Sequence, residues 1–162
     1  AAVAALVIVF AIVQFSGRQG QESTFAVYAR QMAGIALRGY VMDRTTDSPA
    51  KIRAYLSSQG APADFHLPPG LAKAQLVGCA VETWGGAKVS MICFRTGQAL
   101  PPGQASDLWL FVAKAGALKN APTDATPEFS RINRLALASW SQNGDVYLMG
   151  IEADHKALQS FL

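Results

Sequence analysis

Cys79 and Cys93 are the only cysteines of the chain, and both fall in one stretch: LVGCAVETW, then GGA, then KVSMICFR. The stretch reads as two strands around a glycine turn, with paired glycines supplying the positive φ of a tight reversal. Two thiols on facing strands can form a disulfide, or a reversible thiol switch, where oxidation persists outside the cytoplasm. Buried thiols that do not meet act instead as small hydrophobes. The turn decides between these. A three-residue loop over Gly85, Gly86 and Ala87 sets Cys79 opposite Cys93, Val81 opposite Met91 and Trp84 opposite Lys88. That register collects Val77, Cys79, Val81, Val89, Met91 and Cys93 on one face, and the apolar pattern favours it. A two-residue loop sets Cys79 opposite Ile92 and reverses the relative faces of the two arms.

The remaining reactive side chains are sparse. His66 and His155 are the only histidines. His66 lies between Phe65 and Leu67 with no second ligand at metal-binding spacing, so it reads as solvated or backbone-bonded. Asp154 and His155 are neighbours on a helix and point in different directions, which does not make an acid–base pair. There is no P-loop, no dinucleotide glycine fingerprint, no G-x-S-x-G and no HExxH. Trp84, Trp109 and Trp140 fall in strands and read as core. The reading is a chain that is not an enzyme, with no cofactor, no metal and no small-molecule substrate identified. The net charge is +3, with scattered basic residues and no Lys/Arg run. Nucleic acid is therefore not an expected ligand.

The elements that hold these residues follow from periodicity and punctuation. Residues 24–42 read as a helix with Phe25, Tyr28, Met32 and Ile35 near one face. Ser48-Pro49 starts a second helix, Pro49 to Ser58, with Ile52, Tyr55 and Leu56 inward and Gly60 at its end. Residues 61–70 are extended and proline-rich. Asp107 to Lys114 (DLWLFVAK) is a strand apolar enough to be covered on both faces, beside Met91–Phe94. Residues 135–150 form a hairpin around Asn143-Gly144, which pairs Trp140 with Tyr147. Residues 152–162 read as a terminal helix. The fold class is α+β: a small antiparallel sheet of four to five strands packed by helices.

Residues 1–15 (AAVAALVIVFAIVQF) are apolar apart from Gln14. A helical span takes about 20 residues, so this segment is expected to be part of a longer transmembrane helix that the chain enters midway. A signal sequence and a buried core helix are the rivals. Residues 16–23 then serve as a juxtamembrane linker, and residues 24–162 as the globular domain.

From Ser48 to Leu162 the order of elements resembles the extracytoplasmic half of membrane-anchored anti-sigma factors. The resemblance lies in SPAKIRAYL followed by FHLPPGL, then LVGCAV, SMICF, LWLFV, a strand around Ser139-Trp140, VYLMG and a closing helix. It implies a small antiparallel sheet packed by helices, behind a single transmembrane helix, on the periplasmic side of the inner membrane. It also implies a regulatory role exercised through a protein partner. The family's sigma-binding part, often a zinc site, would precede Ala1 and matches no residue here, so no functional residue is carried over. Arg18 mildly opposes an outside location. The alternative is an envelope thiol-redox or metal-handling protein using Cys79 and Cys93. For a partner-binding loop the sequence offers residues 115–134, with Lys119, Asp124, Glu128, Arg131 and Arg134 set among prolines; a solvated spacer is the competing reading.

Overall fold

A computed structural model describes residues 24–162. The expected transmembrane helix, residues 1–15, and the linker, residues 16–23, lie outside the described residues. Within them, no helix is long and apolar enough to cross a membrane.

The first hairpin is β2 (Gln75–Trp84) and β3 (Ala87–Arg95). Its turn has two residues: Gly85 and Gly86 adopt φ of 53° and 84°, the left-handed pair whose twist matches that of the flanking strands. Trp84 therefore pairs with Ala87 and Cys79 with Ile92, which corrects the expected three-residue loop. The criterion behind that expectation had no force here. From Val89 to Phe94, β3 is buried on both faces, so either register yields an apolar side.

β4 (Leu108–Lys114) pairs with β3 and with β7 (Asp145–Ile151), as its unbroken apolar run requires. β7 turns back on β6 (Leu135–Gln142) through Asn143 and Gly144, at φ 53° and 80°. The Trp140 and Tyr147 rings stack at 5.1 Å and 4°. Two further strands close the edges: β1 (Arg44–Thr45) on β2, and β5 (Glu128–Ile132) on β6. The sheet is thus seven-stranded and antiparallel, in the order β1-β2-β3-β4-β7-β6-β5. The class is α+β; the expected count of four to five strands was short by the edges.

Helices cover both faces. α1 (Phe25–Arg38) lays Tyr28, Met32 and the small residues Ala29, Ala33 and Ala36 against Met91, Cys93, Trp109, Phe111 and Leu148. The alanines let the helix approach the sheet closely. α1 stops before Met42, because Gly39 takes φ 92° and Asp43 then turns in to accept the Val81 N–H at 2.8 Å. On the other face lie α2 (Pro49–Ser58), capped by Ser48, and α3 (His155–Gln159), capped by Asp154. Ile52, Leu56, Phe65, Leu71 and Leu158 pack there on Cys79, Ile92, Leu110 and Met149. α3 is five residues long, much shorter than the expected 152–162, and Glu152 precedes it.

Candidate functional site

The sheet edge formed by β5 is where exposure, charge and an open cavity coincide. Glu128, Phe129, Ser130 and Arg131 are exposed and Ile132 is half-buried. Phe129, at 43%, is one of three exposed large hydrophobics among the described residues, with Val27 and Val41. Its ring rests against His155 at 6.0 Å, and His155 Nε2 donates to the Ser130 carbonyl at 2.7 Å. A two-residue turn at Asn133-Arg134 joins β5 to β6, with Ile132 facing Leu135. The pair that closes such a turn is hydrogen-bonded, and antiparallel pairs alternate. Ile132, Ser130 and Glu128 therefore point their main chain at β6, whereas Phe129 and Arg131 point theirs away from the sheet.

At the C-terminal end of β5 an open cavity of about 620 Å³ is lined by Pro101, Arg131, Arg134, Glu152 and Ala153. Arg131 donates to the Ala153 carbonyl at 3.2 Å, and the Arg134 guanidinium pairs with the Glu152 carboxylate. Gln104 Nε2 donates to the other Glu152 oxygen at 2.7 Å. Partial burial pushes the Glu152 pKa up, but the hydrogen bonds from Gln104 and Arg134 and the Arg134 charge outweigh it, and the carboxyl is held below its ordinary value. Glu152 uses both oxygens on its neighbours; Arg134 also donates Nη2 to the Leu37 carbonyl at 3.5 Å, and both arginines line the cavity. The corner is suited to an anionic group.

Of the candidate loop residues, all five are exposed, but they do not form one cluster. Lys119 lies by the start of α1, where its carbonyl accepts the Phe25 N–H at 2.8 Å. Asp124 lies near the Asn143-Gly144 turn, where its carbonyl accepts the Ser141 N–H at 2.8 Å. Glu128 and Arg131 stand on β5 and Arg134 on its turn. The segment 115–134 is therefore not the open loop expected: it contains a strand and is tied to the body at both ends. Gln104 and Glu152 were not singled out from sequence. They are 48 positions apart, and nothing local marks their meeting.

The cysteines are both buried and both free. They do not meet: Cys79 lies in the core beneath α2, and Cys93 in the core beneath α1. Burial pushes the Cys79 thiol up to about 11, with Asp43 adding to the shift, and burial pushes Cys93 up to about 12. Thiols so raised carry almost no thiolate at neutral pH. Tyr40, whose hydroxyl is hydrogen-bonded to Ser106, closes over Cys93, and burial raises its own pKa. The His66 N–H donates to the Tyr147 hydroxyl at 3.1 Å, so His66 serves through its backbone. Among the described residues, no three His, Cys, Asp or Glu side chains gather as metal ligands would.

Comparison with protein families, with curated proteins and with solved structures finds no match.

Proposed function

We propose that this chain is the extracytoplasmic interaction domain of a single-pass membrane regulatory protein of the anti-sigma-factor type. In this reading it works by docking a protein on the β5 edge and the adjacent basic corner. The observation that carries the docking surface is the exposure of β5 with its main chain pointing outward at Phe129 and Arg131, beside a cavity lined by Arg131 and Arg134. A strand edge with unpaired N–H and C=O groups is a template for another strand. The apolar N-terminal segment and the order of helices and strands support the membrane-tethered placement. The redox and metal-handling alternative gains no support, because Cys79 and Cys93 lie on opposite faces and are buried.

The test places a photoreactive side chain at Phe129 and, as control, at the exposed Lys51 on α2, in the full-length protein in its host membrane. The expected result is a discrete protein adduct from position 129 that is lost with Arg131→Glu. Adducts equally strong from position 51, or none from 129, overturn the docking reading. A reporter fused after Leu162 tests the placement, and activity confined to the cytoplasm overturns the periplasmic assignment.

A further inference from the structure

We infer that the β5 edge is occupied by the β5 edge of a second copy of this chain, so that two sheets join about a two-fold axis at Ser130. The inference rests on the reading of β5 as a docking surface and names its occupant. Charge is what selects a second copy. Beyond the N-terminal end of the strand lies Asp124, near the Asn143-Gly144 turn, and Glu128 opens the strand. The C-terminal end carries Arg131 and Arg134, and because Glu152 pairs with Arg134 that end keeps a single net positive charge. Antiparallel pairing sets the acidic end of one copy against the basic end of the other, twice. Parallel pairing would set like on like.

The main chain agrees with that register. With Ser130 opposite Ser130 of the second copy, Phe129 falls opposite Arg131, and these are the two residues whose N–H and C=O groups point outward. Each Phe129–Arg131 pair then exchanges two hydrogen bonds. The two side chains share a face, so a guanidinium lies beside each ring, a contact that stabilises cross-strand pairs. Sliding the register by two residues sets Phe129 against Phe129, or Arg131 against Arg131, and loses the charge match. The opposite edge does not compete. Along β2, β1 pairs with Gly78 and Cys79, and Asp43 takes the Val81 N–H. Five residues per edge make a contact below the size of a standard interface, so the association is weak in dilute solution. Confinement to a membrane surface raises its effective concentration.

The experiment uses the full-length chain in liposomes. Ser130→Cys places two thiols across the axis at a non-hydrogen-bonded pair, where side chains are closest. The native cysteines are buried and do not compete. Under mild oxidation Ser130→Cys is expected to give a disulfide-linked dimer, and Lys51→Cys only background. Adding Glu128→Arg or Arg131→Glu to Ser130→Cys should reduce the dimer in each alone. Residue 128 lies opposite Ile132 and on the other face from Arg131, but each reversal sets like charges at both ends of the joined edge within a Debye length of about 10 Å. Mixing the two variants should restore it, as a heterodimer. Ser130→Cys cross-linking no better than Lys51→Cys overturns the inference. So does a dimer indifferent to both charge reversals. If self-pairing fails while Phe129 still captures a different protein, the docking surface stands and its occupant is that protein. If neither forms, both readings fall.

Discussion

Cys79 pairs with Ile92, one position short of Cys93, and that single step puts the two thiols on opposite faces of the sheet. Neither can reach the other without slipping β2 along β3, which would carry every β2 side chain to the wrong face. The native protein is expected to show no thiol alkylation at pH 8, and two alkylated cysteines after denaturation. Reductant should leave the intact mass unchanged. A mass two hydrogens lighter before reduction would refute the two-residue turn.

Tyr147 joins two layers. Its ring stacks on Trp140, and its hydroxyl accepts the His66 N–H from the proline-rich segment over the sheet. Tyr147→Phe keeps the stack and orphans that N–H, at a cost of about 1 kcal/mol. Trp140→Ala removes the stack and opens a cavity, at about 3–5 kcal/mol. Urea unfolding separates the two, and amide exchange at His66 should rise in Tyr147→Phe well before global unfolding.

Gly78 sits where β1 crosses β2. A Cβ there would come within 2.3 Å of the Arg44 carbonyl oxygen and 2.7 Å of Met42 Sδ. The carbonyl is backbone and has no rotamer to yield. Gly78→Ala is expected to lift β1 off β2 at a cost of about 1–3 kcal/mol. Faster exchange of the Val81 amide, which now bonds the Asp43 carboxylate, would locate the damage.

The acid limb of stability should carry a signature of Glu152. Its carboxyl is held below the ordinary value in the folded state by Gln104 and Arg134. A lowered folded pKa means that protonation favours the unfolded chain. The contribution is therefore complete above the unfolded carboxylate value of about 4.3 and is lost as pH falls through the lower folded value. Arg134 is largely exposed, so the effect is on the order of 1 kcal/mol or less. Urea midpoints of the native chain and Glu152→Gln should differ at pH 7 and converge toward pH 3. A constant gap would remove Glu152 from the acid response.

The parts of this fold that a sequence states plainly are those whose pattern is local. Asn143-Gly144 names its own turn, LWLFV names a strand covered on both faces, and Ser48-Pro49 names a helix start. β1 is two residues long and has no period to read. β5 is EFSRI, polar enough on its own to pass for a loop between Pro127 and Asn133, and it becomes a strand because Leu135–Ser139 gives it a partner. Of the candidate site, Arg131 and Arg134 were visible as charges in a long connection. Glu152 and Gln104 were not, because only the return of β7 beside residues 101–107 brings them together. The cysteine register turned on whether Ala87 belongs to the loop or opens β3, and an apolar criterion cannot choose a face for a strand buried on both.

The connection between β4 and β5 should prove to be part of the body. Leu118 is buried against the α1 face, the Lys119 carbonyl holds the Phe25 N–H, and the Asp124 carbonyl holds the Ser141 N–H. A plain spacer could be shortened at little cost, since closing a loop depends only weakly on its length. Replacing residues 117–128 with a Gly/Ser turn instead removes a core side chain and two backbone bonds, and strips β5 of its first residue. Leu118→Ala alone is expected to cost about 2–3 kcal/mol, and the replacement more than that. Gly-Ser inserted between the exposed Ala125 and Thr126 should cost less than about 1 kcal/mol, because it lengthens the segment between its anchors without cutting either. Thermal or urea unfolding of the three variants gives the order. If the replacement is as stable as the native chain, these contacts hold nothing and the segment is a spacer.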